Sequence, residues 1–238
     1  MRMIARFSKR DVARHVSHLD LLRAMQRALR RAELPVKYSE GFNPHQVIAF
    51  GSAMSVGMES DGEWLDVALH TDMDEATFLA RAAAQMPPGI VMHEAHAVID
   101  RYPALMSIIA SADYEVSLCI EGKIDRSKWE QRMADAMSRP LLAMKKGKKG
   151  PREVELRDLV QCIEAGESHA VDDETGRTDT SLSLRLVHAS SGALNPQLLL
   201  PALLASLELT GSYRVVRTAL WAEKDGAACP VWALDAPG

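Results

Sequence analysis

The chain opens with a strand-like alternation that changes to a helical spacing. Apolar and polar side chains alternate over the first residues, which predicts a β-strand from Arg2 to Ser8. From Ser17 onwards, apolar residues recur every three or four positions, which predicts an amphipathic helix. Ser17 and Asp20 have the spacing of a capping box, with Asp in place of the usual Glu. The helix should end at Leu34-Pro35, because proline cannot continue the hydrogen-bond ladder. The predicted apolar face consists of Leu19, Leu22, Met25, Leu29 and Ala32.

The rest of the first half continues with strands and one more helix. A polar loop runs from Tyr38 to Pro44. The later elements are a strand over 45–54, a turn over 57–62, a strand over 63–70, a helix from Asp72 that ends before Pro87, and a strand over 90–99. This β-α-β-β-α-β order is typical of a ferredoxin-like unit.

The second half repeats the theme. Its predicted elements are strands over 108–120, 154–165, 180–188 and 212–222, and helices over 125–138 and 197–207. We therefore predict the α+β class, with two tandem ferredoxin-like units, residues 1–103 and 104–238, each with an antiparallel sheet. No close sequence repeat accompanies them, so the duplication rests on element order alone.

Composition narrows the class of protein. Of 238 residues, 47% are hydrophobic and 25% are charged, as in ordinary globular proteins. No apolar run approaches the roughly 20 residues that span a bilayer, and the first ten residues lack the apolar core of a signal peptide. We expect a cytoplasmic protein. The three cysteines, Cys119, Cys162 and Cys229, are too far apart for a zinc or iron–sulfur motif and are interpreted as buried free thiols.

Charge is unevenly distributed along the chain. Residues 1–50 contain ten Lys and Arg against four acids, a formal charge of +6, whereas the whole chain has a net charge of −4. Residues 145–152 add five positive charges, two glycines and no acid, which predicts a mobile basic loop. This segregation favours a polyanion such as RNA as the partner.

The predicted helix carries the clearest phosphate-binding candidates, because the forked donors of arginine suit phosphate oxygens. The alternative is a solvated helix face whose arginines pair with acids elsewhere. Glu59, Glu63 and Asp66 are expected to supply such pairing, with a Mg²⁺ site as the less favoured alternative. The predicted nucleic-acid-binding residues are Arg23, Arg27, Arg30, Arg31, Asn43, Lys145, Lys146, Lys148 and Lys149.

Two polar segments, His15 to Asp20 and Tyr38 to His45, contain candidate catalytic residues. His18 and His45 are candidate general acids or bases for metal-independent RNA cleavage, with Tyr38 assisting. His15, His18 and Asp20 would make a strained metal site, so neither a metal nor a cofactor is expected. Phe42 and Tyr38 could stack on bases or could plug the protein's own core, and both alternatives stay open. No P-loop, Rossmann, HExxH or GxSxG motif is present.

Several strings resemble a bacterial family of unknown function, the radical-SAM-linked domain. They cover roughly the first 70 residues: Phe7-Ser8-Lys9, Val16-Ser17-His18-Leu19-Asp20-Leu21, Arg27-Ala28-Leu29-Arg30-Arg31-Ala32, Leu34-Pro35, Tyr38-Ser39-Glu40-Gly41-Phe42-Asn43-Pro44-His45, Val56-Gly57-Met58-Glu59-Ser60 and Glu63-Trp64-Leu65-Asp66. The second half matches more loosely, around 148–158 and Asn195-Pro196. The radical SAM cysteine motif is absent, so the resemblance does not imply that chemistry for this chain.

The resemblance implies partners more than an activity. Stand-alone members lie beside genes of the ribonuclease E/G family, which implies RNA or a ribonuclease E/G partner. Members fused behind a radical SAM enzyme imply an alternative, a domain that presents a substrate or partner to such an enzyme. A fainter similarity to CRISPR repeat-processing endoribonucleases rests on fold-level features alone, and such analogy cannot assign a function.

Overall fold

The computed structural model describes residues 1–147, 150–172, 174 and 176–234. The chain divides into two compact units, Met1–Ser111 with Arg217–Gly238, and Ala112–Val216. The predicted domain ranges were 1–103 and 104–238, so they place the C-terminal residues in the second domain, whereas the division above groups them with the first unit. The domain boundaries remain a prediction.

The described residues form twelve strands, five α-helices and two short 3₁₀ helices. In chain order the elements are β1 (Arg2–Lys9), a 3₁₀ helix (Asp11–His15), α1 (His18–Arg31), β2 (Ile48–Phe50), β3 (Glu59–Ala68), α2 (Glu75–Ala83), β4 (Ile90–Val98), α3 (Leu105–Ile108), β5 (Ile109–Glu121), α4 (Arg126–Met137), β6 (Leu142–Gly147), β7 (Gly150–Glu155), a 3₁₀ helix (Arg157–Leu159), β8 (Val160–Asp172), β9 (Arg177–Ala189), β10 (Gly192–Ala193), α5 (Pro196–Ser206), β11 (Gly211–Lys224) and β12 (Ala227–Pro230).

The first unit is built around β1, which pairs antiparallel with β3 on one side and β4 on the other. In this register Ala5 lies opposite both Leu65 and Ala95. Strand β2 pairs antiparallel with the C-terminal part of β3, and β11 is a further neighbour of β3. Strand β12 pairs antiparallel with β11.

One face of this sheet forms a hydrophobic core with α1 and α2. The alternation of β1 places Met3, Ala5 and Phe7 on the helix-covered face, where all three are fully buried. Met25 of α1 and Phe78 of α2 are buried in the same cluster. Burying each large apolar side chain stabilises the fold by about 1.5–3 kcal/mol, so this core fixes the position of α1.

Gly62 allows two strands of the first unit to approach closely. A Cβ atom at this position would lie 2.3 Å from the carbonyl oxygen of Thr218 in β11. Any larger side chain would therefore force the backbones of β3 and β11 apart.

The second unit has β9 at its centre, with β5, β8 and β10 as neighbours, and β5 lies next to β11. Along β9 the side chains alternate between buried and more exposed positions, and Leu182, Leu184 and Leu186 are buried. Strands β6 and β7 form a separate antiparallel hairpin.

The α+β class is confirmed, with mainly antiparallel strand pairs. Several boundaries differ from the predictions. The strand expected over 45–54 is limited to Ile48–Phe50, and the one expected over 154–165 is divided between β7 and β8. Strand β3 begins within the turn expected over 57–62, and the helix expected from Asp72 begins at Glu75. Leu19 was predicted to face the core, but it is 62% exposed in the first turn of α1. No helix in the described part of the chain combines the length and apolar character needed to cross a membrane.

Candidate functional site

Helix α1 begins as the sequence predicts. Ser17 is its N-cap residue, and its Oγ accepts a hydrogen bond from the backbone N–H of Asp20 at 3.2 Å. The Ser17 hydroxyl also donates to the Asp20 carboxylate at 2.7 Å. At the other end, Arg81 of α2 donates to the carbonyl oxygens of Ala32 and Glu33. Both ends of α1 are therefore fixed by side chains.

The outward face of α1 carries four exposed arginines, Arg23, Arg27, Arg30 and Arg31. Arg23 pairs with Asp20 at 3.3 Å, and Arg31 donates to the carbonyl oxygen of Gln85 at 2.6 Å. Arg27 and Arg30 lie on neighbouring turns, and neither makes a hydrogen bond or ion pair within the described ranges. The donors of these two guanidinium groups are therefore available to a ligand.

The other arginines of the basic segment differ, because acids from β3 and β4 pair with them. Arg2 Nε donates to Asp66 at 3.1 Å, and Arg6 Nε donates to Glu94 at 2.6 Å. These acids lie outside residues 1–50, so the formal charge of +6 overstates the free positive charge of the segment. The strand-proximal pairs are Arg2–Asp66, Arg6–Glu94, Arg10–Asp61, Arg10–Glu59 and Arg14–Glu59.

This pairing corrects one prediction. Glu59, Glu63 and Asp66 were expected to pair with the arginines of the helix, but their partners are arginines on or beside the strands. The reason is the register of β1 against β3, which brings Arg2 opposite Ala68, two strand positions from Asp66.

A buried ion pair in the first unit was missed by sequence reasoning. The Arg217 guanidinium makes two hydrogen bonds of 2.7 Å to the Glu63 carboxylate, and the two side chains are only 2% and 3% exposed. Ser60 Oγ donates to the carbonyl oxygen of Arg217 at 2.9 Å. Since 154 residues separate the two partners, no local pattern could reveal the pair.

Lys9 is also buried, at the end of β1. Its Nζ donates to the carbonyl oxygens of Val16 at 3.1 Å and Arg14 at 3.4 Å. Burial lowers the pKa of Lys9, the charge of Arg217 lowers it further, and the charge of Glu63 raises it. Lys9 therefore anchors the segment that leads into α1 and is not part of an exposed basic surface.

The loop between Tyr38 and His45 has a closed base. The Ser39 backbone N–H donates to the His45 carbonyl oxygen at 2.8 Å, and the His45 N–H donates to Ser39 Oγ at 3.1 Å. Ser39 Oγ also lies 2.8 Å from Nδ1 of the His45 ring. Gly41 has a φ of +117°, a backbone conformation that favours glycine. Phe42 at the tip is fully exposed, and Asn43 is exposed as well.

The three candidate catalytic residues have different surroundings. His18 is half-buried and its ring contacts Phe50 edge-on, with 5.2 Å between ring centroids. Tyr38 pairs with Gln46, and Ser39 pairs with His45, so adjacent positions send Tyr38 and His45 to opposite faces. With Nδ1 of His45 next to Ser39, Nε2 is the ring atom left to exchange a proton with a ligand.

The described part of the basic run in the second unit forms two paired strands, which corrects the expected mobile loop. Lys145 in β6 lies opposite Arg152 in β7, and Gly147 lies opposite Gly150, whose φ is +111°. Like charges directly opposite each other repel, so an anion between them would be favourable. The predicted residues Lys148 and Lys149 lie outside the described residues, and so does the side chain of Lys146.

The placement of the His, Cys, Asp and Glu side chains bears on metal and thiol chemistry. Across the described ranges, no group of three or more His, Cys, Asp or Glu could hold a metal ion. The cysteines were expected to be buried, but Cys162 is exposed and the other two are half-buried. A hydrogen bond to Asp179 raises the pKa of Cys119, and burial raises the pKa of Cys162, which disfavours reactive thiolates.

Three cavities were compared with the predicted site residues. The first, of about 620 Å³, is lined by residues of β5, β9 and β11 that include Cys119, Asp179 and Arg214. The other two measure about 290 and 380 Å³ and lie beside β4 and α4. None of these three is lined by a predicted catalytic or nucleic-acid-binding residue.

Comparisons with known proteins give one family. The family described as "Uncharacterized protein conserved in bacteria (DUF2344)" matches residues 2–196. No curated protein matches the chain.

Two solved structures are similar at low identity. A chain of the "Crystal Structure of a Cbf5-Nop10-Gar1 Complex" is 13% identical, with 94% of this chain and 50% of that chain covered and a TM-score of 0.48. An unknown protein from Galdieria sulphuraria is 7% identical, with 90% and 98% covered and a TM-score of 0.24. This chain spans half the length of the first structure's chain, and neither likeness carries an argument about function.

Proposed function

The chain belongs to the uncharacterized bacterial family DUF2344, and we propose that it is an RNA-binding accessory protein that holds phosphates through α1. The observation that carries the proposal is the pair of exposed guanidinium groups of Arg27 and Arg30 on one fixed helix face, which have no partner among the residues that the structure describes. Arginine donates in a planar fork that matches phosphate oxygens, which makes such a pair suited to a nucleic-acid backbone.

The hairpin of β6 and β7 supports the same chemistry with a second basic element. Lys145 and Arg152 are exposed and face each other across the two strands without an acid between them. A phosphate placed there would relieve the repulsion between the two cations.

Equilibrium binding tests the proposal. A labelled RNA of mixed structure is titrated with the wild type and with Arg27→Gln/Arg30→Gln, a change that keeps a polar side chain at each position but removes two charges. We expect the variant to lose about tenfold in affinity at moderate salt, because two phosphate contacts are lost. The matched control is Lys128→Gln/Arg132→Gln on the exposed face of α4, which removes the same charge and should bind as the wild type. Equal loss in both variants, or no RNA binding by the wild type, contradicts the proposal.

A metal-independent endoribonuclease is the second candidate, and the contact between Ser39 and His45 favours it. Ser39 fixes the imidazole through Nδ1, so Nε2 of His45 could act as the general acid or base. His45→Ala should abolish RNA cleavage while RNA affinity and folding are retained. His18→Ala is the comparison, because His18 contacts Phe50 and its loss should affect stability more than turnover. Cleavage that survives at both positions excludes this candidate.

A protein partner is the remaining alternative. The resemblance to the radical-SAM-linked domain supports a role in presenting substrate to a separate radical SAM enzyme or to a ribonuclease E/G partner. Affinity capture with the wild-type chain from its host should recover one of these enzymes. A capture that recovers neither, with the wild type still binding RNA, leaves the RNA-binding proposal alone.

We also propose that both units are ferredoxin-like. In the first unit the sheet runs β4-β1-β3-β2, and in the second the order is β11-β5-β9-β8. Each order follows from a β-α-β-β-α-β succession, with α1 and α2 or α4 and α5 as its helices. The hairpin of β6 and β7 would be an insertion before the second strand of the second unit.

A further inference from the structure

Phe42 is the most exposed large apolar side chain of the chain's described part. Its exposure is 105%, so the ring makes no covering contact with the protein. Burying a phenylalanine stabilises a fold, and the core of the first unit contains Phe7 and Phe78 at no exposure. The alternative that Phe42 plugs the protein's own core is therefore wrong, and the ring is open to a ligand.

The loop holds this ring on a fixed base. Three contacts between Ser39 and His45 close the loop, at 2.8, 3.1 and 2.8 Å. Pro44 restricts the backbone after the tip because its ring fixes φ, and Gly41 adopts the positive φ of +117° that the chain needs before the tip. Binding of a ligand to the ring should cost little conformational entropy in the loop, because the contacts at its base already order it.

The surroundings of Phe42 indicate what would cover it. A protein-docking face presents a contiguous apolar patch, but the neighbours of Phe42 in the loop are Ser39, Glu40, Asn43 and His45. Tyr38 at the base of the loop is also exposed, and aromatic rings among polar groups suit a flat ligand with polar edges. Asn43 is exposed and follows directly, and its amide can both donate to and accept from such an edge.

We propose that Phe42 stacks on an unpaired nucleobase, so that the protein prefers single-stranded RNA or loops over duplex RNA. The inference rests on the proposed phosphate binding by α1 and deepens it, because it names the class of RNA. Stacking on aromatic side chains needs a splayed base, and the bases of a duplex are already stacked on each other. The positive charge of this unit is compatible with RNA, because Lys37 before the loop and Arg27 and Arg30 of α1 are exposed.

Binding to three probes tests the inference: a 12-nucleotide single-stranded RNA, the corresponding RNA duplex, and inorganic polyphosphate. The wild type and the variants Phe42→Ala and Phe42→Tyr are compared, with Val56→Ala as the matched control because Val56 is another exposed apolar loop residue. A stacked base contributes about 1–3 kcal/mol, so Phe42→Ala should weaken single-strand binding by about 5- to 150-fold. Phe42→Tyr should retain it, and duplex and polyphosphate binding should be unchanged in every Phe42 variant.

The outcomes separate the two proposals. If Phe42→Ala binds the single strand as the wild type does, or weakens all three probes equally, base stacking is overturned while phosphate binding stands. If the wild type binds polyphosphate as tightly as single-stranded RNA, the base contributes nothing and stacking is again overturned. If the wild type binds none of the probes, both proposals fail.

Discussion

Two groups of arginines in the first unit have the same chemistry and opposite surroundings. Arg2 and Arg6 on β1 donate to Asp66 and Glu94, whereas Arg27 and Arg30 on α1 donate to nothing in the described part of the chain. The difference follows from position, because a strand in the middle of a sheet has neighbours that can supply acids. Among the described residues, no acid pairs with Arg27 or Arg30 at their positions on the helix.

This contrast shows why a local charge count misleads. The first fifty residues are formally strongly basic, but Asp61, Asp66 and Glu94 neutralise much of that charge from later strands. What remains for a ligand is the outer face of α1 with Lys37. The strand-proximal arginines should therefore affect stability, and the helix arginines should affect binding.

The largest effect is expected at the buried pair. Glu63→Ala leaves the guanidinium of Arg217 buried without its carboxylate, which should lower the free energy of unfolding by about 3–5 kcal/mol. Urea denaturation followed by circular dichroism measures this change. The double variant Glu63→Leu/Arg217→Met should recover most of the loss, because apolar residues of similar volume can replace a buried ion pair. A loss below 1 kcal/mol in the single variant would contradict the buried geometry.

Arg2→Gln tests the strand arginines directly. The change removes the charged donor from Asp66 and from the carbonyl oxygen of Tyr102, so unfolding should become easier by about 1.5–3 kcal/mol. RNA affinity should stay at the wild-type value, since this guanidinium is already occupied. A variant with normal stability and weakened RNA binding would reverse the assignment of the two groups.

Ser17→Ala tests whether α1 acts as a fixed platform. Loss of the N-cap hydrogen bond to Asp20 should cost about 1 kcal/mol of unfolding free energy. Ser17→Asn is the matched control, because asparagine is also a good N-cap residue and should retain stability. Urea denaturation distinguishes the two variants, and equal destabilisation in both would count against a capping role.

The smallest expected effect is a pH dependence from Lys9. Burial lowers its pKa below the ordinary value of 10.5 in the folded state. Between these two pKa values the unfolded chain binds more protons, so the free energy of unfolding should rise with pH in that window. Lys9→Met should lack this rise. Urea denaturation of both proteins at a series of alkaline pH values measures it, and parallel curves would contradict the assignment.

Local patterns predicted the elements better than their pairing. The cap at Ser17 and the helix that begins after Asn195 are signalled by residues within three positions of each other, whereas the helix expected from Asp72 is capped by Asp74 and begins at Glu75. The hairpin of β6 and β7 was missed because a run of lysines has low strand propensity, and its glycines indicated a loop. Pairing between strands depends on contacts distant in sequence, which periodicity does not report.

The candidate site could be predicted only in part. The exposed arginines of α1 follow from helical periodicity, and they are found on the outer face. The partners of Glu63 and Asp66 could not be inferred, because Arg217 and Arg2 reach them through the sheet and not through neighbouring sequence. The exposure of Phe42 was one of two open alternatives, since a loop aromatic can face either inwards or outwards.

The salt dependence of RNA affinity tests the separation of the two arginine groups most directly. The slope of log K against log salt concentration is measured for the wild type, Arg27→Gln/Arg30→Gln and Arg2→Gln/Arg6→Gln. For a single strand each lost phosphate contact reduces the slope by about 0.7, so the helix variant should lose about 1.4 and the strand variant nothing. Equal slopes in the wild type and the helix variant, or a reduced slope in the strand variant, would contradict the account.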